Sequence, residues 1–218
     1  MSPRSAEKAA LRFAARGGAL ALLALLALVV AACGASAPRK AAVDAASAQI
    51  PADAQSAYDR ALVAMRAQDW LAAELELAEL THDYAGYPGP QVNLAIVLRH
   101  EGRPEEARAA LDRALAVSPG HAAANNELGI LLRESGKFAE AERAYRRALD
   151  TDPSYALAHY NLAVLLDVYL RRGAEAIAHY EAYQSSLAVP DKTVAGWIVD
   201  LRRRFGGGAP QVAKENGG

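Results

Sequence analysis

Few residues in this chain have the type and spacing that covalent or metal chemistry requires. The only thiol among the 218 residues belongs to Cys33. A single cysteine excludes an internal disulfide in the monomer, and it also excludes a zinc site built from several cysteines. Cys33 directly follows Val30, Ala31 and Ala32 at the end of an uncharged apolar run. The function of this thiol must therefore be inferred from its place in the sequence, because the chain offers it no second cysteine as a partner.

The remaining candidate groups form no catalytic or metal-binding motif. The chain has neither a GxSxG nucleophile turn nor a phosphate-binding glycine loop. Carboxylates such as Glu105 and Glu140 lie among arginines at helical spacing, which is typical of solvated helix faces. No pair has HExxH-like spacing among the histidines, which are His82, His100, His121, His159 and His179. The sequence therefore predicts no enzyme, no metal site and no cofactor.

The segment that precedes Cys33 has the pattern of a targeting sequence. Four basic residues come first, namely Arg4, Lys8, Arg12 and Arg16. The apolar core that follows, residues 19–30, is shorter than the roughly 20 residues that a membrane-spanning helix needs. The ending Val30-Ala31-Ala32-Cys33 resembles the lipobox of bacterial lipoproteins, in which the signal peptide is removed just before the cysteine. The resemblance implies a signal peptide over residues 1–32. The alternatives are an ordinary secretory signal or a short transmembrane anchor.

The same resemblance implies a location for the mature protein. In lipoproteins the new N-terminal cysteine carries acyl chains, so Cys33 is the predicted lipidation site, and several buried chains hold a protein firmly on a membrane. An Asp after the cysteine often retains such proteins at the inner membrane, whereas here the residue is Gly34. We therefore expect an outer-membrane anchor with the folded part on the periplasmic side.

Two segments have too little apolar surface to offset the entropy of ordering. Residues 33–53 are rich in Ala and Ser, and residues 206–218 are rich in Gly. The first is predicted to be a lipidated flexible tether and the second a disordered tail. The formal net charge of the chain is −1, so there is no basic field to attract nucleic acid.

Self-similarity at one constant step organises the rest of the chain. The matching sets are Trp70, Pro104 and Phe138; Ala73, Ala107 and Ala141; Leu77, Leu111 and Tyr145; and Leu94, Leu128 and Leu162. Within one period the apolar residues follow helical spacing on two successive segments, separated by Gly136 and ended before Pro153. Such a helical hairpin cannot bury its apolar face alone, so neighbouring hairpins must stack.

The clearest copy, residues 122–155, resembles the tetratricopeptide repeat. It matches the family in the Leu128-Gly129 pair, in the turn at Gly136 and Phe138, and in Pro153. The resemblance implies an all-α fold, a right-handed superhelix of about four helical hairpins with a C-terminal capping helix. The predicted units, called units 1 to 4 below, cover residues 54–87, 88–121, 122–155 and 156–190, and the capping helix covers 191–205. Unit 4 has one extra residue before its second helix.

The capping helix has one apolar face and a polar start. Asp191 is the predicted N-cap, because its carboxylate can accept from the first free amides of the helix. The apolar face consists of Val194, Trp197, Ile198, Leu201 and Phe205. Trp197 and Tyr183 are predicted core residues, since aromatic residues at helical spacing mostly fill cores.

The family resemblance also predicts a binding groove, because fixed positions of each first helix face the inner surface of the superhelix. Carried over to this chain, they are Val92, Asn93, Ile96, Arg99, Asn126, Glu127, Ile130, Arg133, Tyr160, Asn161, Val164 and Asp167. The three asparagines are expected to bind the backbone of an extended partner. Arg99 and Arg133, which lie one repeat apart, are expected to form a positive edge. The alternative is that these polar side chains only solvate an exposed face.

These features together predict an envelope scaffold or adaptor. The lipid fixes its location, the tether provides reach, and the groove captures envelope partner proteins. Outer-membrane lipoproteins of similar architecture include pilotins, adaptors for peptidoglycan hydrolases, and components of gliding-motility or TonB-linked machines. The alternative is a structural lipoprotein that assembles with itself, its groove filled by a neighbouring copy rather than by a ligand.

Overall fold

Nine α-helices, four consecutive pairs and a single last helix, make up most of residues 51–205, the part of the chain that the computed structural model describes. The helices are α1 Ala52–Arg66, α2 Trp70–Asp83, α3 Pro88–His100, α4 Pro104–Val117, α5 Ala122–Glu134, α6 Phe138–Thr151, α7 Ala156–Val164, α8 Gly173–Ser185 and α9 Lys192–Phe205. This part of the chain has no strand, so the predicted all-α class is confirmed. The signal peptide, Cys33, all but the last three residues of the tether and the tail lie outside the described residues.

The described helices are short relative to a lipid bilayer. None of them is long and apolar enough to cross a membrane.

The helices pair because the local sequence sets each hairpin turn. Gly102 and Gly136 follow α3 and α5 with φ of 75° and 73°, a left-handed conformation that glycine adopts without steric cost. The backbone amide of Lys137 then donates to the carbonyl oxygen of Leu132 at 2.8 Å, which ends α5.

Small residues allow the paired helices to approach closely. Ala73, Ala107 and Ala141, one per unit, are completely buried. Gly129 on α5 faces the buried ring of Tyr145 on α6, where no β-carbon would fit. These contacts explain the periodic Ala and Gly positions as the points of closest helix packing.

Successive units stack through their helices and through ion pairs. The second helix of each unit packs against the first helix of the next. Two arginines link successive second helices at the surface. Arg103 reaches Glu74 of the preceding unit at 2.6 Å, and Arg172 reaches Glu142 at 2.7 Å. Exposed ion pairs contribute little individually, so the stacked apolar surfaces supply most of the stability.

Unit 4 absorbs its extra residue in a π-helical turn. Residues Leu165–Tyr169 continue α7 in π geometry, and the amide of Leu170 donates to the carbonyl oxygen of Leu165 at 3.0 Å. A π turn accommodates one residue more than an α-helical turn. Arg171 follows with φ of 57°, and α8 then starts at Gly173. The insertion is therefore taken up in the helix before the turn as well as in the turn itself.

Helix α9 covers the C-terminal end of the stack. The Asp191 carboxylate accepts from the amides of Thr193 and Val194 at 2.8 and 3.2 Å, which makes it the N-cap. Val194, Ile198 and Leu201 are buried, but Phe205 is 48% exposed. Trp197 is 38% exposed, so the prediction that it is a core residue is wrong, whereas Tyr183 is half-buried against the core.

Candidate functional site

The first helices of units 2, 3 and 4 form one continuous surface, on which the predicted groove residues lie. Helix α5 contacts both α3 and α7 directly, whereas successive second helices pack against each other less closely. The first helices therefore line the inner surface of the stack. Asp167 belongs to the π-helical turn that extends α7 along the same surface.

Side-chain hydrogen bonds join neighbouring first helices at equivalent repeat positions. The amide nitrogen of Asn93 donates to the hydroxyl of Tyr58 on α1 at 2.8 Å. The amide nitrogen of Asn161 donates to Oδ1 of Asn126 at 2.9 Å. Both bonds join residues 35 apart in sequence. The three asparagines that were expected to bind a partner are therefore engaged between units, Asn93 and Asn161 as donors to the preceding unit and Asn126 as the acceptor from Asn161.

Three of the predicted groove residues are not accessible. Val92 and Asn126 are buried at 3% and 0% exposure, and Glu127 is at 9%. The prediction that these three side chains line the groove is therefore wrong. They lie between the first helices, which approach more closely than an open groove would allow. Asn126 in addition donates to Oε1 of Glu127 at 3.2 Å. A partner on this surface would not contact these side chains in the observed arrangement.

The carboxylate of Glu127 is buried between the first helices without a full set of hydrogen bonds. By repeat position its counterparts on α3 and α7 are Asn93 and Asn161, each of which donates a hydrogen bond to the preceding unit. The carboxylate lies 3.6 Å from a guanidinium nitrogen of Arg99, beyond hydrogen-bonding distance, and its Oε2 has no hydrogen-bond partner. Burial raises the pKa of Glu127, and the nearby charge of Arg99 and the bond from Asn126 only partly offset that effect.

Both arginines of the predicted positive edge are engaged in contacts with the adjacent unit. Arg99 lies between the carboxylates of Glu127 and Glu134, at 3.6 and 3.5 Å. Arg133 instead contacts Tyr169, with a 3.4 Å bond to its hydroxyl and its guanidinium carbon 5.7 Å from the ring centroid. The residue of unit 4 at the repeat position of Arg99 and Arg133 is the acidic Asp167. Arg99 is thus paired with carboxylates, whereas Arg133 has no carboxylate partner within residues 51–205, so only part of the predicted positive edge is neutralised.

An apolar line remains along the accessible surface. Ile96, Ile130 and Val164 occupy the same position in three successive repeats, and each is half-buried against the core. Leu157, at the start of α7, is 51% exposed. Part of the apolar surface of these four side chains therefore stays exposed.

An aromatic cluster closes this line at the C-terminal end. The ring of Tyr160 lies 5.1 Å from that of Tyr183 on α8 and 6.5 Å from that of Trp197 on α9. Tyr180 completes the cluster at 5.6 Å from Trp197. Of these residues only Tyr160 was among the predicted groove residues. The sequence did carry a signal, because Trp197 and Tyr183 stand out as rare large aromatics, but their spacing pointed to the core.

The histidines are distributed over several surfaces. His100 stacks on Trp70 with ring centroids 4.4 Å apart, His121 caps α5 through a bond from the amide of Ala124, and His82 is exposed beside Asp83. His159 and His179 are in contact with each other. Within residues 51–205, no three His, Cys, Asp or Glu side chains are placed to hold a metal ion.

Comparison with known proteins agrees with the paired-helix geometry. Two family models, both described as tetratricopeptide repeat, match residues 89–154 and 126–188. The chain contains tetratricopeptide repeats. The stacked hairpins, their small residues at close contacts and their constant step, which is about 34 residues in this family, follow from that repeat. Tetratricopeptide repeats form scaffolds for protein–protein interaction.

Solved structures with similar folds include several other tetratricopeptide repeat proteins. The pilF protein of Pseudomonas aeruginosa has a TM-score of 0.62 at 20% identity, with 69% of this chain and 68% of that chain covered. TTC0263 of Thermus thermophilus has a TM-score of 0.56 at 23% identity, with coverages of 72% and 81%. YrrB, described as a TPR protein with an unusual peptide-binding site, has a TM-score of 0.52 at 20% identity, with coverages of 67% and 74%. No curated protein matches the chain. At these identities the similarity concerns the fold.

Proposed function

We propose that this protein is a lipid-anchored adaptor of the bacterial cell envelope. Cys33 carries the lipid at the periplasmic side of the outer membrane. The inner surface of the repeats binds an extended segment of an envelope partner protein. The proposal of the anchor rests on the charged start, the apolar run and the Val30-Ala31-Ala32-Cys33 ending in the sequence.

The observation that carries the binding role is the partly exposed apolar and aromatic surface at the C-terminal end of the first helices. Leu157 and Trp197 are 51% and 38% exposed, and Trp197 is in contact with the rings of Tyr160 and Tyr180. Aromatic residues held rigidly by neighbours lose little entropy on binding and frequently dominate the binding energy of interfaces. An uncovered apolar surface of this kind is typical of an interaction site.

The polar side chains next to this surface favour an extended ligand over a globular one. Asn161 is half-buried beside Tyr160, and its amide oxygen accepts no hydrogen bond from the described residues. An amide oxygen can accept a backbone N–H of a strand-like segment lying over Val164 and Leu157. YrrB, similar in fold, is described as having a peptide-binding site, which supports the same use here.

A second candidate function, self-assembly, is favoured by a separate observation. Leu71 and Leu75 lie one turn apart on α2, and both are 66% exposed. The equivalent residues of unit 2 are Glu105 and Ala109, so unit 2 lacks this apolar pair. Two such faces from two copies would cover each other.

Site-specific photo-crosslinking in intact cells distinguishes the two functions. A photoreactive amino acid is placed in the full-length, membrane-attached protein at Leu157, at Leu75, or at Val199, which is 67% exposed on α9 and serves as the control. We expect Leu157 to yield an adduct with one distinct envelope protein that Val199 does not give. Adducts only with other copies of the chain, strongest from Leu75, would support self-assembly instead. The same adducts from all three positions would contradict the groove assignment.

A further inference from the structure

His159 on α7 and His179 on α8 meet directly within unit 4. Their Nδ1 atoms are 2.9 Å apart, and their ring centroids are 5.2 Å apart. The Nε2 atom of His159 lies 2.9 Å from the carbonyl oxygen of Pro153, in the loop between units 3 and 4. One imidazole therefore bridges the loop and the neighbouring helix.

These contacts fix the tautomers of the neutral pair. A carbonyl oxygen only accepts, so Nε2 of His159 carries a proton and donates it to Pro153. Nδ1 of His159 is then the acceptor, and Nδ1 of His179 must donate to it. Nε2 of His179 is left as the position that can take up an added proton without breaking the bond between the rings.

The ring geometry fits a hydrogen bond and not metal chelation. A centroid separation of 5.2 Å with the nitrogens 2.9 Å apart requires the two Nδ1 atoms to point towards each other. Two imidazoles that bind one metal ion point their lone pairs at a third position to the side of the line between them. The His159–His179 pair is thus a proton-sharing contact.

Units 2 and 3 use groups that do not titrate near neutral pH at the same repeat position. His159 occupies in unit 4 the position that Gln91 and Asn125 occupy in units 2 and 3. Arg113 donates to the side-chain oxygen of Gln91 at 3.0 Å, and Arg147 donates to that of Asn125 at 3.2 Å. Of these three units, only unit 4 replaces the amide–arginine contact with two imidazoles.

Several charged groups face the His159–His179 pair from the elements around it. Arg146 and Asp150 on α6 line a shallow cleft of about 280 Å³ together with the two rings. Glu142 on α6 and Glu175 on α8 also act on His179. Burial, the neighbouring ring of His159 and the charge of Arg146 lower the pKa of His179 to about 4, and the two carboxylates oppose this only in part.

We propose that the His159–His179 pair is an acid-sensitive contact that holds α8 against α7 and opens when both imidazoles become protonated. One added proton, on Nε2 of His179, leaves the bond between the rings intact. A second would place two N–H groups and two positive charges head to head, so the rings must separate. An unfolded or separated pair can bind both protons, and falling pH therefore favours separation.

The separation of α8 from α7 reaches the aromatic cluster of the binding surface. Tyr160 is on α7 directly after His159, and Tyr180 is on α8 directly after His179. Both rings contact Trp197 on α9. Opening of the pair therefore changes the environment of Trp197, whether or not a partner binds there.

Trp197 fluorescence provides the test. The full-length protein carries Trp70→Phe, because Trp70 stacks on His100 and would itself respond to pH. On titration from pH 7.5 to 3, we expect a reversible change in Trp197 emission centred well below the ordinary pKa of histidine, about 6.5, because the pair opens only when both imidazoles are protonated. In the His179→Gln variant, whose amide can still donate to His159, this change should be lost. The matched control is His82→Gln, whose side chain is 88% exposed and which should titrate like the parent.

A second measurement does not depend on the Gln variant being folded. In the unmodified protein, NMR titration of the imidazoles should show the His159–His179 pair taking up its two protons in two well-separated steps. The inference is overturned if the pair binds both protons together near the ordinary histidine pKa. It is equally overturned if Trp197 emission in the His179→Gln variant follows the parent through the same pH interval.

Discussion

Gly129 of α5 lies directly beneath the ring of Tyr145 on α6, where a β-carbon at residue 129 would be 2.6 Å from Cδ1 and 2.9 Å from Cζ of the tyrosine. Tyr145 is completely buried, so its ring has no free space into which it can shift. The closeness of these two helices therefore depends on the missing side chain. The packing of unit 3 is expected to be sensitive to any atom added at this contact.

Gly129→Ala is expected to destabilise the protein by about 1–3 kcal/mol, the usual cost of adding a methyl group to a packed core. The control is Gly196→Ala on α9, where a β-carbon meets nothing within 4 Å. That change should raise stability by up to about 1 kcal/mol, because Ala favours a helix over Gly. Urea unfolding followed by circular dichroism measures both. Equal effects of the two substitutions would contradict the packing at Gly129.

Ala141→Asp is expected to unfold unit 3 or to cost about 3 kcal/mol or more, because a carboxylate would be buried without a partner at a fully buried position. Ala139→Asp, two residues earlier in the first turn of α6, is the matched control. Ala139 is exposed, and an acidic residue near a helix N-terminus is favourable. The melting temperature should fall strongly for the first variant and change little for the second. An unchanged melting temperature for Ala141→Asp would show that the repeat register is wrong.

The buried carboxyl of Glu127 predicts a pH dependence. Its pKa is raised in the folded state, so folding holds a proton there that the unfolded chain has already released. This contribution to stability is complete below the ordinary pKa of glutamate and is lost as pH rises through the raised value. The stability of the parent should therefore fall relative to that of Glu127→Gln across this interval, as measured by urea unfolding at a series of pH values. Glu134→Gln removes the more exposed carboxylate beside Arg99, whose charge helps to raise the pKa of Glu127, so this variant should reduce the pH dependence only in part.

Cys33→Ser tests the anchor, which lies outside the described residues. Without the thiol no acyl chain can be attached to the sulfur, so we expect the variant to lose metabolic labelling with palmitate and to leave the membrane fraction. Cell fractionation with immunoblotting follows the location. A neighbouring substitution, Ser36→Ala, should keep both the label and the membrane association. Continued labelling of the Cys33→Ser variant would exclude the proposed lipidation.

Much of the fold could be predicted because it depends on local contacts that recur in every repeat. The constant repeat step places an alanine at each closest approach, as Ala107 and Ala141 show by their complete burial. Gly136 predicts a turn because only its backbone conformation matters there, and its φ is 73°. The binding surface was less predictable, since Trp197 belongs to a different element from the repeats and its exposure depends on how α9 docks.

The sequence by itself determined the helical hairpins, their number, the N-cap of α9 at Asp191 and the rows of equivalent side chains on the first helices. These follow from spacing along one helix and from residue types at turns, which do not require knowledge of distant contacts. Only the tertiary structure decided which of those side chains remain accessible. The twist between units brings Asn161 to Asn126 and Arg99 to Glu134, so polar groups that a single helix would present to solvent are used between helices. Within unit 4, His159 meets His179, 20 residues further along the chain, because α8 folds back along α7.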